Sequence, residues 1–226
     1  MKGNGIMEKL SWKPGNMLYP LPAVMVSCCD KNGNSNIITV AWAGTICTNP
    51  PMLSISVRPQ RYSYHMIKET KEFVVNLTTK ELAFATDYCG VKSGKDVDKF
   101  KEMKLTKGKS KIVACPMIEE SPVNIECKVK DILELGSHHT FIAEVVNVNV
   151  SKKYMNENGK FELSKANPIV YSHGTYFELG KEIGGFDETF VPAYCEDSDL
   201  AFTVRKMGYR VMYQPLSVVV HFEGVS

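Results

Sequence analysis

Residues 123–150 read VNIECKVKDILELGSHHTFIAEVVNVNV and carry the clearest periodicity in the chain. Val123, Ile125, Cys127 and Val129 alternate with Asn124, Glu126, Lys128 and Lys130, the period-two signature of a strand with one buried face. Thr140 to Val150 repeats the alternation, with His138 and His139 at the junction, so 123–135 and 140–150 are expected to pair as a long hairpin. Working outward, Pro22–Asp30 is apolar and β-favouring. It meets Asp30-Lys31-Asn32-Gly33-Asn34, where Asn-Gly marks a hairpin turn into a second strand, Asn36–Ala43. Asn49-Pro50-Pro51 interrupts the ladder, because proline donates no backbone hydrogen bond. Met52–Arg58 follows as a strand, Tyr62–Thr70 as a short helix and Phe73–Leu77 as a strand. Lys80–Tyr88 and Val97–Met103 read as helices. Pro168–Tyr171 and Tyr176–Leu179 read as closing strands after a turn at Asn156–Gly159. The fold class is therefore mainly β with short α insertions, built on a barrel core.

The 226 residues allow one domain or somewhat more, with 44% hydrophobic and 23% charged residues. Collagen, long coiled coil and wholesale disorder are excluded. No apolar run reaches the length of a membrane helix, and Met1–Trp12 lacks the apolar centre of a signal peptide. A cytoplasmic location is expected, without membrane or nucleic-acid partners. Eleven lysines between Lys68 and Lys111 read as a solvated face, since aromatics do not interleave with them. Seven cysteines form no CxxC, so neither a zinc site nor a disulfide framework is expected, and no metal is assigned. Neighbours Cys28 and Cys29 should point to opposite faces of one strand.

Charge marks a seam near residue 182. Residues 1–182 hold 24 basic against 19 acidic residues, and 183–226 hold 3 against 6. Asp197–Met207 reads as a helix ending at Gly208, followed by strands at Tyr209–Gln214 and Ser217–Phe222. At about 40 residues this unit is close to the lower size limit for an independent core without metal or disulfides.

Residues 1–182 resemble the flavin reductase-like FMN-binding proteins, in detail the flavoredoxin branch. The carriers are Tyr19-Pro20-Leu21-Pro22, Thr39-Val40-Ala41-Trp42-Ala43-Gly44, Cys47-Thr48-Asn49-Pro50-Pro51, Ser56-Val57-Arg58 with Tyr62-Ser63, Phe73-Val74-Val75-Asn76, Ser93-Gly94-Lys95-Asp96-Val97-Asp98-Lys99-Phe100, His139-Thr140-Phe141-Ile142 and Tyr176-Phe177-Glu178-Leu179-Gly180. The resemblance implies an FMN-binding split β-barrel, a homodimer and NAD(P)H as the usual reductant. It also implies an activity in which bound flavin takes hydride and passes electrons to a small-molecule or redox-protein acceptor. An FMN electron carrier without nicotinamide turnover is the alternative.

No GxGxxG or Walker loop is present, so side chains and turn amides must hold the phosphate. Arg58 with Arg61, Tyr62 and Ser63 at a helix start supply such a set. Thr39, Val40, Ala41, Trp42 and Ala43 would pass the ring, the alanines allowing close backbone approach, with Thr48 and Ser56 nearby. Trp42 fits ring contact or barrel core equally. Asn76 would donate to flavin or cap a turn. In Ser93, Gly94 and Lys95, the resemblance implies a cofactor loop whose lysine either faces flavin or is solvated. For His139 the resemblance implies a place facing flavin and nicotinamide, which makes it the catalytic candidate ahead of His138, with a purely structural role as the alternative. Tyr171 is a cofactor candidate, and His173 a weaker neighbour.

Residues 184–226 resemble the C-terminal part of family 2 glycosyltransferase catalytic domains, through Tyr194-Cys195-Glu196-Asp197 and Val220-His221-Phe222. Asp197 would be the base of that chemistry. Residues 1–182 offer no nucleotide-binding half to complete it, and Asp96-Val97-Asp98 lies inside the cofactor-loop motif. Glycosyl transfer is the least supported class.

Overall fold

The computed structural model describes residues 8–180. The helix–strand–strand unit expected within 183–226, Asp197 included, lies outside the described residues.

In chain order the described part holds β1 (Leu21–Pro22), β2 (Val24–Cys29), β3 (Ser35–Val40), β4 (Ala43–Cys47) and β5 (Met52–Val57). Helix α1 (Tyr62–Thr70), β6 (Glu72–Leu77), α2 (Ala83–Val91) and α3 (Lys99–Glu102) follow. Then come β7 (Lys107–Gly108), β8 (Met117–Ile118), β9 (Val123–Leu135), β10 (His138–Val150), β11 (Ile169–Ser172) and β12 (Thr175–Glu178). Seven strands form one antiparallel sheet in the order β3-β2-β6-β9-β10-β5-β4. β1, β11 and β12 make a second, three-stranded sheet. Among the described strands neither sheet closes on itself, and the architecture is a split barrel.

The long hairpin forms as its alternation predicts, with two register shifts that bend it, between Ile142 and Ala143 and between Val145 and Asn147. Its turn is tighter than expected. Gly136 takes φ +39°, and pairing already begins at Leu135–His138. Both histidines are therefore strand residues. The helix at 62–70 stands where expected. It ends at Lys71, whose left-handed backbone sends its N–H to the Ile67 carbonyl. The helix expected at 80–88 begins three residues later, because Thr79 and Lys80 are held by the strand and loop around 167–168. The strand over 43–47 was not expected. It is an exposed edge with little apolar content to show its period.

The sheet is covered on both faces. Val24, Val26 and Cys28 of β2 enter the main core with Ile55, Phe73 and Phe141. Met25 faces a second cluster with Leu82, Phe100 and Ile118, and Cys29 a third with Val74 and Cys115. Cys28 and Cys29 thus point to opposite faces, as expected for adjacent strand residues.

The second cover explains Glu126. By alternation it belongs to a polar face, yet it is fully buried. Its carboxylate accepts the amides of Lys111 (2.9 Å), Ile112 (2.6 Å) and Val113 (3.0 Å), and the side-chain amides of Asn147 (2.8 Å) and Asn149 (2.9 Å). Burial alone would raise its pKa. The Lys111 amide, Asn149 and the other donors outweigh burial and hold the group at about 2, against an ordinary 4.5. One carboxylate thereby ties the 110–115 segment onto the sheet.

This depressed pKa contributes stability above pH 4.5 that fades as pH falls towards 2. Glu126→Gln should lose about 2–4 kcal/mol of unfolding free energy at pH 7, because it leaves buried donors short of a charged acceptor. Urea unfolding across pH 3–7 should show the difference from the parent protein narrowing at the acid end.

Candidate functional site

Two adjoining cavities lie at the ends of β3 and β5. The larger is a cleft of about 780 Å³. Ile38, Thr39 and Val40 of β3, the Ala41-Trp42 link, and Ser56, Val57 and Arg58 form one side of its lining. Arg61, the C-terminal turn of α2 (Asp87, Gly90, Val91), the hairpin end (Leu135, Ser137, His138, Thr140) and Tyr171, Gly174 and Tyr176 complete it, with Asn16 and Ala23. The smaller, of about 140 Å³, is lined by Asn36, Gln60, Tyr62, Ser63, Lys92, Ser93, Gly94 and Lys99. Ile38 and Arg61 line both.

Local structure positions these groups. The link between β3 and β4 is tight, with the Ala43 amide on the Ala41 carbonyl at 3.0 Å and the Ser56 amide on the Trp42 carbonyl at 2.8 Å. That turn leaves Trp42 39% exposed, so it is not barrel core. Its ring lies parallel to His138, 5.8 Å between centroids with 7° between planes. Burial, and next the charge of Arg58, lower the pKa of His138, which favours the neutral imidazole. Ser56 and Thr140 face each other across β5 and β10 and share a 2.8 Å hydrogen bond. Gly90 lets α2 approach β3, since an added Cβ would meet Thr39 Cβ at 3.2 Å.

The smaller cavity is cationic. Arg61 stands at the N-terminal boundary of α1, and its guanidinium donates to the Gly90 carbonyl. The first turn of a helix leaves amides without intrahelical acceptors, so it favours an anion. Ser63 is buried and accepts from Asn36 Nδ2 at 2.8 Å. Gly94 packs so closely on Asn36 that a side chain there would collide with the Asn36 amide. Lys99 is only 3% exposed and donates to the Ile37 (2.6 Å) and Cys89 (2.8 Å) carbonyls. Burial lowers its pKa to about 8, against the smaller opposing pull of Cys89. Among the described residues neither Arg61 nor Lys99 forms an ion pair.

Thr39, Val40, Ala41, Trp42, Ser56, Arg58, Arg61 and Tyr171 therefore come together at the larger cleft, and Tyr62, Ser63, Ser93 and Gly94 at the smaller one. The remaining sequence candidates line neither. Asn76 is fully buried, with Nδ2 on the Met25 carbonyl (2.9 Å) and Oδ1 accepting from Ile118 N (3.0 Å) and Asn124 Nδ2 (2.8 Å). It is neither a cleft donor nor a simple turn cap. Ala43 packs on the main core. Thr48 and Lys95 are exposed.

His139 also lines neither cavity. Neighbouring strand residues face opposite ways, and His139 turns to Tyr64, whose hydroxyl lies 2.7 Å from its Nδ1. His138 takes the place at the cleft that the sequence reading preferred for His139. Lys99 was missed because it sits in the run of lysines read as a solvated face. Only its position just before the apolar Phe100, within the cofactor-loop motif, hinted otherwise.

The protein is a split barrel whose larger cleft adjoins a small cationic pocket. The family model described as flavin reductase like domain matches residues 17–180, and the chain belongs to that family. Flavoredoxin of Desulfovibrio vulgaris (Miyazaki F) is 29% identical with a TM-score of 0.73, covering 78% of this chain and 96% of its own. Flavoredoxin from Methanosarcina acetivorans is 27% identical with the same TM-score, covering 85% and 100%. A protein of Archaeoglobus fulgidus is 35% identical over 132 residues, 58% of this chain and 73% of its own length. The family match ends at residue 180.

An anion in the smaller cavity should favour the charged form of Lys99. Millimolar inorganic phosphate is expected to raise the melting temperature at pH 7, and to do so much less at pH 9, above the pKa of about 8. Thermal scans with sodium chloride at matched ionic strength check this.

Proposed function

We propose that the chain binds FMN across the two cavities and acts as a flavin reductase-type oxidoreductase. One observation carries this reading: a cleft of about 780 Å³, roomy enough for a tricyclic ring, adjoins at Arg61 a small pocket lined by Arg61, Lys92 and Lys99. Arg61, Ser63, Ser93, the Gly94 backbone and Lys99 would hold the phosphate. Thr39 to Trp42, Ser56 and Thr140 would border the ring. When bound, FMN supplies an acceptor that takes hydride from NAD(P)H and passes electrons to a small-molecule or redox-protein acceptor.

The protein's own contribution is placement. Hydride transfer needs stacking, short distance and exclusion of water more than a strong base. The Trp42–His138 pair gives a flat wall at the cleft, and the neutral imidazole keeps an uncharged donor and acceptor there. Arg58 adds positive charge at the same edge, where it would hold an anionic group of a bound cofactor. Exposed Trp42, Val91 and Leu135 rim the cleft with apolar surface, which supports closure by a second subunit in a homodimer.

Purified protein reconstituted with FMN should be yellow and should bleach on anaerobic addition of NADH or NADPH. Yellow protein that does not bleach would identify an electron carrier with another donor. Failure to retain FMN would overturn the reading. Arg61→Ala should weaken FMN binding by about 1.5–3 kcal/mol, roughly 10- to 150-fold in Kd, measured by fluorescence titration.

A further inference from the structure

A pair of thiols lies well away from both cavities. Cys29, the last residue of β2, and Cys115, in the segment between β7 and β8, approach to 2.8 Å between sulfurs. They are 86 residues apart in sequence. The contact is firmly imposed. Glu126 holds the amides of Lys111, Ile112 and Val113, and Glu72 Oε2 accepts the Ala114 amide at 2.8 Å. Ser110 Oγ donates to the Cys115 carbonyl at 2.5 Å. Three side chains thus bracket the segment and seat Cys115 on Cys29. A second cleft, of about 580 Å³, opens at Cys29 and is lined by Asp30, Lys31, Glu72, Lys107 and Ala114 among others. Cys29 borders this cleft although it is only 4% exposed, and Cys115 behind it does not line it.

We propose that Cys29 and Cys115 are a redox-active dithiol that closes to an intramolecular disulfide when a small-molecule disulfide enters this cleft. The sulfurs need approach only about 0.8 Å further to reach the S–S bond length of roughly 2.05 Å. The chemistry balances in two exchanges. The Cys29 thiolate attacks one sulfur of the incoming disulfide, forming a mixed disulfide and expelling one thiolate. Cys115 then gives up its proton and attacks Cys29 Sγ, forming the protein disulfide and expelling the second thiolate. Two electrons pass from the protein pair to the small disulfide, which leaves as two thiols.

The roles follow from environment. The hydrogen bond shared with Cys115 lowers the Cys29 pKa, against burial and the nearby charges of Glu72 and Asp30. The same bond and burial push Cys115 upward. Cys29, which borders the cleft, attacks first, and Cys115, which does not, resolves. Cys28, its chain neighbour, faces the main core, where burial raises its pKa to about 12, so it does not compete.

The full chain, incubated with oxidised glutathione, denatured, alkylated and digested, tests this. The expected result is a peptide pair joined through Cys29 and Cys115. A melting temperature higher by on the order of 5–15 °C and restored by dithiothreitol should accompany it. Cys115→Ser should lose the shift and accumulate a glutathione adduct on Cys29. Recovery of Cys29 and Cys115 both alkylated from the parent protein, while other cysteines carry glutathione, would overturn the proposal. The parent-protein map decides the matter even if Cys115→Ser does not fold.

Discussion

The candidate site depends on placing two cations where no carboxylate meets them. Burying an ammonium group is costly unless it is hydrogen-bonded and its charge compensated. Lys99 obtains two backbone carbonyls, from Ile37 and Cys89, and its lowered pKa records how incompletely they compensate. Arg61 adds a second positive charge beside it, at a helix start that carries positive partial charge of its own. Such a cluster persists because β3, α2 and α3 are packed by the second hydrophobic cluster and cannot move apart to let Lys99 out. An anion that enters relieves the repulsion, so stability set aside in the fold becomes available as binding energy.

That arrangement requires both faces of the sheet to be covered, and β2 shows how. All six of its residues are buried, with neighbours β3 and β6 on either side. A strand buried on both faces reads as a continuous apolar run, and Val24 to Cys29 does. β6 behaves the same way through Phe73, Val74 and Val75. In β9 the second face is polar in sequence, with Asn124 and Glu126. It is buried all the same, because the 110–115 segment brings amides to meet the carboxylate. The sequence signal there was one of exposure, and the structure answers it with hydrogen bonds instead of water.

Legibility followed the length of the signal. The hairpin, the 62–70 helix and the central strands were plain because periodicity accumulates over many residues. β4, with five residues on an edge, left too little apolar content to read. At the site, groups carried on motifs that resemblance could place, Thr39–Trp42, Arg58 to Ser63 and Ser93-Gly94, do gather at the cavities. The failures were of side-chain direction. A strand inverts direction at every residue, so a hairpin turn two residues tighter than expected made both histidines strand residues, and alternation gave His138 to the cleft and His139 to Tyr64. Asn76 failed differently. A strand-end amide looks free in sequence, whereas five short contacts to Met25, Ser27, Val74, Ile118 and Asn124 consume it here.

The same strand separates the two proposed sites. Ala23, just before β2, lines the flavin-sized cleft, and Cys29 ends the strand at the thiol pair. Six residues at about 3.3 Å each put them roughly 20 Å apart. Between them β2 is paired in unbroken register with β3 over its whole length, from Val24–Val40 to Cys29–Ser35. A bond formed at Cys29 adds a constraint to a strand end that is already immobile, joining it to a segment already seated by Glu126. It would change the freedom of the unfolded chain far more than the shape of the cleft. On the two proposals made above, oxidation at one end of β2 would leave the cleft at the other end undisturbed, and the thiols would act on stability and not on cofactor affinity.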